Sequence, residues 1–305
     1  MKRSLLFIIS CLLFGVMASA QPQKVIEKSF EKFSTVKVQD KFVVRLINSD
    51  RYAVRVNVDE RIASHVQAYE KNGTLYLVLD EKGYSKELKK ELKKKGAAQP
   101  ILEAEVYMPE IKSLIFMDKV MVAYSDYLRS SDFTLTATDN VKIQHLKVSC
   151  TQATLDVSRN AAVSADIDVD NTLYLAAGNS STVSLAQRGG NAVIDLEGTA
   201  YLEMKAAVQS VDIKSVSGSE SHISGSSSTL TVNASGYSRT DAELLEVKEG
   251  YMTQSGSSKC HVNISDKMKV NLTGGAMLTF KRTPEIEVER IYNSTLIKAD
   301  DPKRK

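Results

Sequence analysis

Ala192-Val193-Ile194-Asp195-Leu196, closed by Gly198, is one of a series of short β-prone runs that stop at a turn-forming residue and then begin again. Thr134-Leu135-Thr136-Ala137, Ala153-Thr154-Leu155-Asp156-Val157 and Leu230-Thr231-Val232-Asn233 have the same form. The punctuating residues are Asn140, Asn160, Gly178, Gly198, Gly218, Gly236, Gly256 and Gly274, at intervals of 20, 18, 20, 20, 18, 20 and 18. Glycine and asparagine suit corners because they adopt positive φ at little cost. A unit of two short strands cannot bury its own apolar face, so it must stack on copies of itself. A propeller blade needs four strands and about 40 residues, twice this interval, and a sandwich predicts less regular spacing. The pattern therefore predicts an all-β chain in which residues 113–299 form a β-helix of about 20-residue coils. Eight coils would stack to roughly 38 Å.

Upstream lies a strand-rich N-terminal region, residues 21–112. Val36, Val38, Phe42, Val44 and Leu46 share one parity, the signature of half-buried strands. Asn72-Gly73 precedes Leu75-Tyr76-Leu77-Val78-Leu79 as a hairpin turn pair, which predicts antiparallel pairing in this opening part. Residues 81–96 interrupt it with seven lysines and three glutamates around Leu88 and Leu92, and read as an exposed lysine-rich insertion.

The chain starts with Lys2 and Arg3, an apolar run from Leu5 to Met17, and Ala18-Ser19-Ala20. This is the layout of a cleavable signal peptide over 1–20, with the mature chain starting at Gln21. The run is shorter than the roughly 20 residues of a spanning helix, and no other segment is apolar enough to cross a bilayer. Ile8-Ile9-Ser10-Cys11 offers a rival lipoprotein cut, with a lipid on Cys11, but it would leave Leu12 to Met17 exposed at the new N-terminus. The cut after Ala20 is the simpler. Residues 300–305 form a basic tail. An exported chain is destined for the periplasm, the outer-membrane surface or the extracellular medium.

Loss of Lys2 and Arg3 removes two charges from the formal net charge of +3, so nothing electrostatic favours nucleic acid. Cys150 and Cys260 remain, placed by the repeat about five coils apart, too far for a bridge that needs Cα atoms within about 7 Å. The absence of tryptophan fits a narrow core of Val, Leu, Ile and Ala.

Few residues offer chemistry. Asp166, Asp168 and Asp170 share a parity opposite to Ala165, Ile167 and Val169 and form an outward row. Acidic rows on β-helices can serve polysaccharide cleavage or cation binding, and they also simply solvate a strand face. Tyr237, Arg239 and Thr240 after one corner suit hydrogen bonding and stacking on sugars. His65, His145, His222 and His261 fall singly along the chain, with no pair at metal-ligand spacing, so no zinc site is expected and no cofactor is implied. Ser224, Ser226, Ser227 and Ser228 sit in no nucleophile elbow and are expected to satisfy turn backbones.

Phe33-x-x-Val36-x-Val38, the triplets Ser217-Gly218-Ser219, Ser235-Gly236-Tyr237 and Ser255-Gly256-Ser257, and Leu272-Thr273-Gly274-Gly275-Ala276 before Pro284 occur in that order. With them the chain from about Phe33 to Lys298 resembles the putative auto-transporter adhesin head GIN domain family. The resemblance implies a β-helical domain on an exported protein and transfers no functional residue. Where it leads one to expect Ser-Gly corners, the early coils carry Asp118-Lys119, Asp139-Asn140 and Arg159-Asn160. The resulting expectation is a non-enzymatic adhesin or envelope-associated protein that binds a glycan, an envelope component or its own copies. The competing expectation is a polysaccharide lyase or hydrolase acting at the aspartate row.

Overall fold

The computed structural model describes residues 22–299, so the signal peptide over 1–20, Cys11 and the basic tail over 300–305 lie outside the described residues. The alternation of the sequence becomes a two-sided wall. In the strand Ala162–Ala177, Val163, Ala165, Ile167, Val169, Leu173, Leu175 and Ala177 are buried, while Asp170 and Asn171 sit at an exposed corner where the strand passes from one sheet to the other.

Every coil contributes one stretch to a front sheet and one to a back sheet. In front, Lys142, Ala162, Thr182, Tyr201, Glu220, Arg239, Lys259, Met277 and Thr295 pair in succession, all parallel. At the back, Gln152, Thr172, Asn191, Ser210, Thr229, Glu249, Lys267 and Glu285 do the same. The result is a β-solenoid of about 10 turns of roughly 19-residue coils.

The corner residues picked out by the repeat stand in one column. Asp118-Lys119, Asp139-Asn140 and Arg159-Asn160 all have positive φ, as do Gly198, Gly236, Gly256 and Gly274 in later coils. The early coils thus meet the same backbone demand with short polar or long charged residues, at a conformational cost that glycine avoids. Hydrogen bonds run down the column: Lys119 N to Asp139 O at 2.9 Å, Asn140 N to Arg159 O at 3.1 Å, Thr199 N to Asn179 O at 2.8 Å and Ser257 N to Gly236 O at 2.8 Å. At the 178 position it is Asn179, one residue later, that takes positive φ.

The core follows the coil width. Phe33, Phe42, Phe116 and Phe133 fill the N-terminal end, and from Leu135 to Leu278 the buried apolar residues are aliphatic, Met or Cys. Serines close the corners, with Ser219 Oγ donating to Val216 O at 2.9 Å and Ser258 Oγ to Ser255 O at 3.0 Å.

The opening region differs from the antiparallel arrangement its hairpin pattern predicts. Thr35–Val38 and Val43–Asn48 already form a coil of the solenoid, pairing in parallel with Ser113–Phe116 and Met121–Ser125. The chain then leaves to build a cap and returns at Ser113. This coil, together with the last one, brings the total to ten rather than eight. Antiparallel pairing is confined to the cap: Tyr52–Asp59 with Gln23–Phe30 and Leu102–Met108, and Val66–Lys71 with Thr74–Leu79. Asn72 and Gly73, both at positive φ, make that last turn. The lysine-rich insertion holds the helix Lys86–Leu92, capped by Ser85, whose side chain accepts from Leu88 N. Leu88 and Leu92 pack on the core, and Glu91 binds Arg61 Nη1 at 3.0 Å.

Candidate binding surface

The front sheet holds Asp166 and Asp168 with the outward parity the alternation dictates, whereas Asp170 of the expected row falls at the exposed corner beyond them. Asp166 and Asp168 face outward in register with Lys147 and Ser149 on one side and Ala186 and Arg188 on the other. Neither is unpartnered. His145 Nε2 lies 3.5 Å from Asp166 Oδ2, Arg188 Nε lies 2.6 Å from Asp168 Oδ1, and the Tyr127 hydroxyl donates to Asp168 Oδ2. The Tyr127 hydrogen bond, then that of Arg188, holds the Asp168 carboxyl below the ordinary carboxylate range. A general acid for glycoside cleavage needs the opposite shift. The row cross-links coils and presents alternating charge to solvent.

Tyr237 and Arg239 are not brought to that row. Tyr237 occupies the corner column and is 82 % exposed, and Arg239 opens the strand Arg239–Gln254 between Glu220 and Lys259. Four pairing steps of about 4.8 Å put these strands roughly 19 Å from the aspartate strand, and Asp168 lies six residues further along it. The sequence candidates therefore form two separate patches.

The back sheet carries a ladder that sequence reasoning passed over. Tyr174, Val193, Asp212, Thr231 and Tyr251 are in register on five successive coils, and Tyr174 and Tyr251 are 43 % and 41 % exposed. The signal was available as outward parity taken together with a spacing of 19 or 20 residues.

A groove of about 480 Å³ lies between the lysine-rich insertion and the rest of the cap. Ile62, Leu79 and Leu102 form its floor, and Lys41, Lys89 and Lys93 stand on its rim. Burial, with Glu81 and Asp40 nearby, pushes the Tyr84 hydroxyl in its wall up to about 12. Elsewhere on the front sheet the register brings Asp241, Glu243 and His261 together, with ligating atoms within 4.8 Å of one another.

A parallel two-sheet solenoid of about 10 turns with a capped N-terminal end defines the class of this protein. The family model described as "Putative auto-transporter adhesin, head GIN domain" matches residues 32–182 and again 144–284, and the chain belongs to that family. The double match reflects the repetition of the coils. No curated protein matches the sequence. Among solved structures, the chain is similar to a "putative adhesin" from Parabacteroides merdae at 13 % identity and TM-score 0.43, covering 91 % of this chain and 96 % of that one. A second "putative adhesin", from Parabacteroides distasonis, has 14 % identity and TM-score 0.38 over 92 % and 98 % of the two chains. A "Putative lipid binding protein" from the same species has 13 % identity and TM-score 0.39 over 91 % and 97 %. Among the described residues, no helix is long and apolar enough to cross a membrane.

Proposed function

We propose that this protein is a non-enzymatic, exported adhesin or envelope-associated binding protein whose ligand, a glycan or other cell-envelope polymer, lies along an outer face of the solenoid. The observation that carries this reading is the register of Tyr174, Val193, Asp212, Thr231 and Tyr251, which repeats a half-exposed side chain at every coil. Side chains spaced by one coil form a regular array, and a polymer with its own repeat gains multivalent contact along it. Tyrosine supplies a ring for stacking and a hydroxyl for hydrogen bonding at low entropic cost. Family membership supports the same reading, as does the signal-peptide layout of residues 1–20.

Self-association is a second mode of contact available to the same molecule. The last strands, Glu285–Tyr292 and Thr295–Lys298, have one neighbour each among the described residues, and Val288, Ile291, Tyr292 and Ile297 are exposed on them.

The experiment is a glycan and polysaccharide array probed with residues 21–305 and with a Tyr174→Ala/Tyr251→Ala variant, with reducing-end release measured on the same panel. Binding to a subset of polymers that the variant loses supports the proposal. Release of reducing ends, or binding unchanged in the variant, would overturn it. Proteolysis of intact cells, with the mature N-terminus read by mass spectrometry, tests export: cleavage from outside is expected for an adhesin, and a protected chain counts against it.

A further inference from the structure

Three metal-ligating side chains converge on the front sheet, with a fourth beside them, away from the aspartate row and from the tyrosine ladder. His222 is in register with Asp241, and Asp241 with His261, on three neighbouring strands. Their flanking residues Ser221, Ile223, Thr240, Ala242, Cys260 and Val262 are buried, which leaves the ladder facing solvent, half-exposed. The bulge that follows Ala242 lies beside Glu243. One ligating atom from each of Asp241, Glu243 and His261 lies within 4.8 Å of the other two.

His222 stands on the opposite side of Asp241, outside that trio. Its Nδ1 is 3.8 Å from Asp241 Oδ2, and its Nε2 is 3.0 Å from Glu220 Oε1. A carboxylate against one ring nitrogen of a ligating imidazole is the usual outer-shell arrangement at a metal, and it leaves Nδ1 turned toward Asp241.

We propose that Asp241, Glu243 and His261, with His222 turning in as the fourth ligand, form a binding site for a divalent transition-metal ion, Zn²⁺ being the representative case. Two imidazole nitrogens with carboxylate oxygens suit Zn²⁺ and its neighbours, whereas Ca²⁺ takes oxygen ligands alone. Tetrahedral zinc holds such donors about 3.3 Å apart, so the half-exposed trio closes by up to about 1.5 Å on binding and the His222 ring rotates further. Lys281 pairs with Glu243 Oε1, so the ion displaces or shares with one exposed ammonium. Bound there, the metal clips three successive coils.

The test titrates tag-free residues 21–305 with ZnCl₂ in a non-chelating buffer, by calorimetry, with folding of each variant verified by circular dichroism. One ion per chain is expected. His261→Ala and Asp241→Asn should each weaken binding at least tenfold, and Glu220→Gln by about tenfold through loss of the outer-shell contact. His145→Ala, beside Asp166, should leave it unchanged. The proposal is overturned if the wild-type chain shows no saturable binding below about 1 mM Zn²⁺. It is equally overturned if an Asp241→Asn/His261→Ala double variant binds as the wild type does.

Discussion

The hydroxyl of Tyr127 donates a hydrogen bond to Oδ2 of Asp168 although 41 residues and one complete intervening strand separate them. Backbone pairing joins each coil only to the next, so a side chain that reaches past its neighbour ties three coils together. Arg188, on the strand beyond, grips the other oxygen of the same carboxylate. The bond also raises the Tyr127 hydroxyl above its usual range, since ionising it beside a carboxylate is costly.

Tyr127→Phe should release part of that hold. The Asp168 carboxyl, below its ordinary value of 3.8 in the wild type, should titrate closer to it in the variant, as read by carbon NMR. Stability should fall by less than about 1 kcal/mol, because the group is largely exposed and water replaces the lost contact. An unshifted titration in Tyr127→Phe would show that the hydrogen bond does not hold Asp168.

The cap depends on a stronger pair. Asp59 has a fully buried side chain and accepts from Arg61 Nε at 2.9 Å and from Arg61 N at 3.0 Å, while Arg61 also reaches Glu91 on the inserted helix. Arg61→Ala leaves a buried carboxylate with only a backbone donor and should cost about 2–3 kcal/mol in urea unfolding at pH 7. The Arg61 hydrogen bond lowers the Asp59 carboxyl below 3.8, so its stabilisation is present above that pH and is lost as the pH falls through the folded-state value. Between pH 7 and pH 3 the wild type should therefore lose more stability than Arg61→Ala does. Equal losses would place the acid sensitivity elsewhere.

Backbone crowding at Gly225 makes a sharper claim. Its φ is +108°, and a Cβ there would sit 2.0 Å from the Ala206 carbonyl oxygen on the adjoining coil. Gly225→Ala must both strain the backbone and push two coils apart, at a cost of about 2–4 kcal/mol. Gly96, with φ +84° and nothing within 4 Å, isolates the strain alone, and Gly96→Ala should cost about 1 kcal/mol. Thermal unfolding of the two variants separates the contributions, and equal shifts would mean that the coils give way freely.

The coils were legible because three local signals agree: outward and inward parity in runs such as Ala192 to Leu196, a corner residue tolerant of positive φ, and a constant interval. The opening coil was hidden because Lys41 and Asp118, bonded across one step of the corner column at 3.0 Å, are separated in sequence by the entire cap. Side-chain groupings across coils were hidden for a different reason. His222, Asp241 and His261 fall 19 and 20 residues apart, which reads as scatter on a linear chain and as a row of strand neighbours once the coil length is taken as the neighbour distance. Tyr127 and Asp168 needed two coil lengths and knowledge of which rotamers reach past a strand. No periodicity encodes that.

The two cysteines carry the last prediction. Cys150 and Cys260 are free and buried, on strands six pairing steps apart, roughly 29 Å along the axis rather than five coils as the corner count suggests. Burial pushes the Cys150 thiol up to about 11 and raises that of Cys260 as well, so neither forms the reactive thiolate near neutral pH. In the folded chain of residues 21–305, a thiol-exchange reagent at pH 8 should react slowly with both, at a rate set by opening of the coils, and titrate two thiols at once in denaturant. Gly225→Ala, by loosening the coil stack, should speed the slow reaction of the native chain. Rapid labelling of a single cysteine in the native wild type would mean that its coil opens without unfolding the rest.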